Sequence, residues 1–284
     1  AMLIIYAIVT EQSIGQMFIA GIIPGILLSI AFAILILVMA YAAPNWVGGV
    51  ESKDVANEDW AKMTVWILIK KLFPIALLIS VVLGGIYGGI VTPVEAGAAG
   101  ALAALIIAIL KRSISLDDLW EVLVETGYIA ATILFLIITA TMYNRMLGVA
   151  GLPTQFGEWL TGMDFTIGQI MTLYVVLLIL LGTILDTASI ILIIVPLFLT
   201  ALDAFGVDLV WFGIVTVVGA EIGLLTPPLG ISCFVIKSTI NDPNISLLDI
   251  FTGAFPFAVT MLLTLIVLIN YPILSTYLLQ FGLM

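Results

Sequence analysis

Three short stretches bring residues able to bind an ion or a charged solute into a strongly apolar sequence. They are Gly84-Gly85-Ile86-Tyr87-Gly88-Gly89-Ile90-Val91-Thr92-Pro93-Val94-Glu95-Ala96, Leu181-Gly182-Thr183-Ile184-Leu185-Asp186-Thr187-Ala188-Ser189 and Glu221-Ile222-Gly223-Leu224-Leu225-Thr226-Pro227-Pro228-Leu229-Gly230. Each joins small, polar and turn-forming residues, and each interrupts a hydrophobic tract. A proline in an apolar helix often only kinks it, and glycines often only let helices approach. That architectural reading stays open for any one break. Three together point to helices interrupted so that their ends face a solute.

The chemistry of the breaks differs. Thr92 is a good N-cap, Pro93 suits the first helical position and Glu95 falls at the third, which makes a capping box. Glu95 then has a structural role at a helix mouth, with direct binding as the alternative. Asp186 lies midway along an apolar tract, where a carboxylate is costly unless it is paired or caps a helix, and where it is a functional candidate by default. Capping of the returning arm by Asp186 or Thr187 is compatible with function, because the cap sets a helix end at the level of binding. In the third break Thr226 can cap and Pro227 can begin the next helix, but Leu229 stands where a capping box has a glutamate. Its amides then lack an acidic partner, and the preceding helix ends at Gly223, Leu224 and Leu225 with free carbonyls. Carbonyls attract a small hard cation such as sodium, and helix N-terminal amides attract an anion. Glu221, just over one turn before Thr226, reads either as support for an ion site or as a bond between helices.

These breaks must be positioned by membrane helices. The 284 residues are 63% hydrophobic and 9% charged, with a mean hydropathy of +1.32, whereas an average soluble chain is about a quarter charged. Several apolar runs reach the roughly 20 residues that cross a bilayer core. Lipid offers the backbone no hydrogen-bond partner, so spans are helices or closed barrels; unbroken apolar runs such as 22–39 exclude the alternating pattern of a barrel. There is no histidine, which removes the commonest proton shuttle and metal ligand. The single cysteine, Cys233, allows neither an internal disulfide nor a cysteine metal cluster. The composition argues against a metalloenzyme or redox protein and leaves no sign of a nucleic-acid partner.

The pattern predicts a short apolar segment over 2–10, a span over 17–43, and a charged segment over 44–71 read as an interfacial amphipathic helix. A long tract over 72–110 follows, interrupted at Thr92-Pro93. Then come a surface helix over 115–125, a span over 127–147 and a polar connection over 148–164. A tract over 167–202 is broken at 182–189, and 211–238 is broken at Thr226-Pro227-Pro228. A last span covers 251–279. Basic residues favour the cytoplasm. Lys53, Lys62, Lys70, Lys71, Lys111 and Arg112 therefore put both ends of 72–110 inside, and 167–202 becomes a hairpin entered from outside. Arg145, near the outer end of 127–147, is the one basic residue that departs from this scheme.

The motifs GGIYGGIVTPVEA, GTILDTA and EIGLLTPPLG, with DAFGVDLVWF over 203–212, are similar in order and spacing to those of a known family. They resemble the large membrane subunit of tripartite ATP-independent periplasmic (TRAP) transporters. The resemblance implies sodium-driven import of small organic acids (dicarboxylates, keto acids or sugar acids) across the bacterial inner membrane. It implies a small membrane subunit and a periplasmic substrate-binding protein as partners, with no cofactor besides sodium as coupling ion. It implies an all-α polytopic fold like that of elevator transporters, with two inverted repeats, each holding a re-entrant hairpin and a broken helix. Carried over by motif, backbone oxygens around Gly182, Gly223, Thr226 and Leu229 would hold sodium, with the Thr226 hydroxyl. Thr183, Asp186, Thr187, Ala188, Glu221, Pro227, Pro228 and Gly230 would lie beside it. Against the family pattern, 1–43 is expected to be the end of an N-terminal repeat plus a connecting span. The segment 44–71 is a cytoplasmic linker and 72–284 the C-terminal repeat, so the chain is expected to be the C-terminal portion of such a subunit. Competing readings are a stand-alone sodium-coupled organic anion carrier and a structural membrane scaffold. An intramembrane enzyme would need a nucleophile with a base, or paired aspartates, and the residues for neither are evident.

Overall fold

The computed structural model describes residues 2–44, 65–163, 165–240, 242 and 245–281. Among these the secondary structure is helical: α1 Met2–Thr10, α2 Ile14–Ala20, α3 Ile22–Ala42, α4 Val65–Tyr87, α5 Pro93–Leu110, α6 Leu116–Val149, α7 Leu152–Gly162, α8 Ile167–Gly182, α9 Thr187–Ala204, α10 Leu209–Leu224, α11 Ile231–Ile240, α12 Leu247–Asn270 and α13 Ile273–Thr276. A 3-10 turn, Tyr277–Phe281, follows. Five stretches are long and apolar enough to cross a bilayer: Ile14–Ala42, Ile69–Tyr87, Pro93–Leu110, Leu116–Val149 and Leu247–Asn270. Large apolar side chains such as Leu37, Leu110, Phe135 and Leu263 point outward. A face of this kind is stable in lipid and costly in water. The chain is a multi-pass helical membrane protein.

Two compact units divide the chain, one of residues 1–37 with 135–281, the other of 38–134 with 282–284. In the second unit α4 packs on α5. The turn between them is closed by Ile90 and Val91 N–H groups donating to Gly85 O (3.0 and 3.3 Å).

The first unit is built around α10. Its residues are buried on nearly every side, including Val210, Trp211, Phe212, Ile214, Val215, Thr216 and Ala220, as expected of a helix that is apolar all round and sits inside a bundle. Asp208 caps it, accepting from the Val210 and Trp211 N–H groups (2.8 and 3.0 Å). Around it lie α8, α12, α1, α9 and α2. Tyr174 is in ring contact with Phe212 and Phe198 (centroids 4.6 and 4.7 Å apart). Its hydroxyl pairs with that of Thr216 at 2.8 Å. Tyr6 donates to Leu209 O at 2.7 Å, and Trp211 Nε1 to Leu268 O at 2.9 Å. The aromatic rings thus fill the core while their polar tips stay satisfied.

Several elements differ from the sequence reading. The expected surface helix over 115–125 and span over 127–147 are one helix, α6. Ser115 and Asp118 cap it reciprocally (Ser115 N–H to Asp118 Oδ2, 2.8 Å; Asp118 N–H to Ser115 Oγ, 3.1 Å). No proline interrupts it, and Gly127, at the expected junction, is too weak a breaker to stop a helix. The expected polar connection over 148–164 contains α7, entered through Gly151 at φ +71°. Leu160 is fully buried and Phe156 sits edge-on to Phe198 of α9. The last span begins earlier than 251, at Leu247, because Ser246 and Asp249 form a capping box. It stops at Asn270, just before Pro272. The proposed interfacial helix of 44–71 lies mostly outside the described residues; of that segment, 65–71 open α4.

Candidate functional site

The second and third breaks meet in the first unit. Helix α8 ends at Gly182 and α9 starts at Thr187, leaving a four-residue tip, 183–186. Helix α10 ends at Leu224 and α11 starts at Ile231, leaving 225–230 unwound. The two places touch backbone to backbone. A Cβ on Gly182 would lie 2.8 Å from Gly223 Cα and 2.9 Å from Ala220 O; one on Gly223 would lie 2.5 Å from Gly182 Cα and 2.8 Å from Ile179 O. Only glycine at both positions permits this approach.

Two hydrogen bonds fasten the contact. The Gly230 N–H donates to Thr183 O at 3.1 Å. Gly230 has φ +47° and its Cα faces Phe251, whose Cε1 would be 2.6 Å from a Cβ. The Thr187 hydroxyl donates to Glu221 Oε1 at 3.2 Å, with Thr187 only 1% exposed. Glu221 therefore ties α10 to the first turn of α9. Thr183 is also buried, and its hydroxyl turns back to Leu180 O at 2.8 Å.

Asp186 caps α9. Its Oδ2 accepts from the Ala188 and Ser189 N–H groups (3.0 and 3.2 Å), and the Ser189 hydroxyl donates to Oδ1. The carboxylate is exposed and spends these bonds on its own helix end. Its position at the helix N-terminus stabilises the negative charge. Ser189 was singled out in the sequence only as the edge of the break; its place three residues after Asp186 is the signal of this cap.

The expectation that Thr226 caps the following helix and Pro227 begins it is overturned. Thr226 Oγ1 donates backward to Ile222 O at 2.8 Å, and its N–H donates to Gly223 O at 2.9 Å. Both bonds finish α10. The next helix starts only at Ile231, with Gly230 O accepting from the Cys233 and Phe234 N–H groups. A residue before proline is pushed out of the α region; Pro227 precedes Pro228 and so cannot serve as the first helical residue, and Thr226 is left to finish α10. The Pro227-Pro228 bond is cis. Pro227, Pro228 and Leu229 are exposed at the surface of the break.

The structure thus brings together Gly182, Thr183, Thr187, Ala188, Glu221, Gly223, Thr226 and Gly230, with Asp186 at the edge. Thr92, Pro93 and Glu95 belong to the second unit. There Glu95 Oε2 accepts from the Thr92 N–H at 2.8 Å and the Thr92 hydroxyl accepts from the Glu95 N–H at 3.3 Å. That reciprocal capping box uses the polar groups of the first break on its own helix. The link that the sequence does not announce is the one made by Thr183 O, because main-chain oxygens carry no residue-type signature.

Comparison with known proteins gives the family. Residues 1–274 match the family described as the tripartite ATP-independent periplasmic transporter, DctM component. The C4-dicarboxylate TRAP transporter large permease protein DctM of Pseudomonas aeruginosa is 30% identical over 96% of this chain and 61% of its own length. The sialic acid TRAP transporter large permease protein SiaM of Vibrio cholerae is 28% identical over 95% of this chain and 61% of its own. The ectoine TRAP transporter large permease protein TeaC of Halomonas elongata is 29% identical over 97% and 62%. The chain spans about three fifths of the length of these relatives. They are named as transporter permeases. By the match over nearly its whole length, the chain belongs to the DctM family of large permease subunits of TRAP transporters.

Proposed function

We propose that this chain supplies translocating machinery for sodium-coupled import of small organic acids, of the dicarboxylate, keto-acid or sugar-acid class, across the bacterial inner membrane. The observation that carries the reading is the glycine-to-glycine contact between the 183–186 tip and the 225–230 break. It sets the ends of α8 and α10 side by side, and main-chain oxygens of Gly182, Gly223, Thr226 and Leu229 would hold the sodium. Oxygen-only donor sets suit a hard cation, and paired helix breaks are how secondary transporters build ion sites. The backward bond of Thr226 Oγ1 to Ile222 O uses the hydroxyl proton and leaves oxygen lone pairs for a cation.

The bonds Gly230–Thr183 and Thr187–Glu221 support a further part of the reading. With them, hairpin and broken helix move as one body, as an elevator mechanism needs. A small membrane subunit and a periplasmic substrate-binding protein are the proposed partners. The substrates for which the relatives are named, a C4-dicarboxylate, sialic acid and ectoine, favour small polar solutes without choosing among them.

The test is Thr226→Val in the assembled transporter, reconstituted in proteoliposomes. The substitution keeps the shape and removes one oxygen. The sodium concentration for half-maximal uptake should rise about tenfold, the scale of one lost polar contact to a charged group. An unchanged sodium dependence refutes the ion-site assignment.

A further inference from the structure

Arg145, the basic residue that departs from the charge pattern, lines a cavity of about 330 Å³ in the first unit, together with Glu11, Thr141, Asn144 and Leu192. A second cavity of about 410 Å³ shares Ala140 and Leu192 with it and reaches Ser189, the residue bonded to Asp186 at the hairpin tip. Volumes of this size are those of small-molecule sites.

The polar groups of the smaller cavity are unevenly used. Asn144 Nδ2 donates to Leu192 O at 3.5 Å, in the amide orientation that avoids setting oxygen against oxygen. Asn144 Oδ1 is then a buried acceptor with no donor. Such an atom costs about 1–3 kcal/mol unless something donates to it, and each one calls for an explanation. The Thr141 hydroxyl gives its proton to Ile137 O at 2.8 Å, so it too can only accept. Glu11, held at φ +55°, adds a carboxylate. Against these acceptors stands one fork of donors, the Arg145 guanidinium, whose geometry suits a carboxylate bidentately.

We infer that this cavity is a second small-ligand site, for a compact carboxylate that carries a hydrogen-bond donor on the adjacent carbon. The carboxylate lies on Arg145, and the donor, a hydroxyl or an ammonium, satisfies Asn144 Oδ1. The site is distinct from the Gly182–Gly223 contact and does not depend on sodium. Its shared wall with the larger cavity puts it on a path toward the hairpin tip.

The test is calorimetric titration of the purified protein in sodium-free buffer with three probes of one carbon skeleton: lactate, alanine and propionate. Lactate or alanine should bind about five- to tenfold more tightly than propionate, the scale of one neutral hydrogen bond. The one favoured identifies the donor as hydroxyl or ammonium. Arg145→Gln should abolish binding, Arg145→Lys should weaken it, and Asn144→Val should erase the difference between the favoured probe and propionate. Thermal unfolding of each variant verifies that it is folded, and a variant that is not is replaced by Arg145→Lys or Asn144→Ser. Three results overturn the inference: no probe binds the wild-type protein, propionate binds as well as lactate and alanine, or binding survives Arg145→Gln unchanged. Because no sodium is present, failure here leaves the Thr226→Val experiment untouched, and the reverse holds.

Discussion

Placing a methyl group at the Gly182–Gly223 contact is the most exacting perturbation this structure invites. A Cβ on Gly223 would sit 2.5 Å from Gly182 Cα, and one on Gly182 would sit 2.8 Å from Gly223 Cα. Carbon atoms prefer about 3.5–4.0 Å, so the ends of α8 and α10 must part by about 1 Å. The obstructing atoms are main chain and cannot rotate away. Overpacking of this kind costs about 1–3 kcal/mol. The separation also stretches Gly230 N–H to Thr183 O, now 3.1 Å, and Thr187 Oγ1 to Glu221 Oε1, now 3.2 Å, each worth about 1 kcal/mol. Alanine's better helix propensity returns up to about 1 kcal/mol, leaving a net loss of about 2–4 kcal/mol. The assay is thermal unfolding in detergent followed by tryptophan fluorescence, to which Trp211, buried in α10, contributes. For a unit of this size the loss corresponds to about 5–15 °C in Tm. Gly253→Ala is the control, since nothing lies within 4 Å of a Cβ there, and it should be neutral or slightly stabilising. If Gly182→Ala and Gly223→Ala both melt with Gly253→Ala, the close approach of hairpin and broken helix is wrong.

Two further outcomes follow from the same geometry. Thr187→Val removes the donor to Glu221 Oε1 and should destabilise the first unit by about 1–3 kcal/mol, with Thr187→Ser recovering most of it. A double-mutant cycle with Glu221→Gln should give a non-zero coupling energy, and strict additivity would dissolve the proposed tie. Asp186→Ala should lose about 0.5–2 kcal/mol of α9 end stability. Faster hydrogen exchange at the Ala188 and Ser189 amides reads this out, Asp186→Asn should behave nearly as wild type, and unchanged exchange would deny the cap.

The sequence by itself determined the class of the protein and where its helices break. The apolar runs leave only helices able to satisfy the backbone in lipid, and glycine and proline act locally, so the breaks at 88–92 and 225–230 coincide with their residues and the tip at 183–186 follows directly on Gly182. The Thr92–Glu95 box is equally local, because both partners lie within one turn. Less legible was continuity: α6 runs through Gly127, where hydropathy alone suggests two elements. The direction of Thr226 was also hidden, since a threonine before proline can serve the helix behind it or the one ahead. Only the tertiary structure decided that the second and third breaks meet, that Glu221 reaches Thr187 rather than standing alone, and that Asn144 Oδ1 is buried without a donor beside Arg145. Each of these is a contact between residues at least 34 positions apart or a property of enclosed space. Local propensity carries no information about either; the packing of α8, α9 and α10 supplies it.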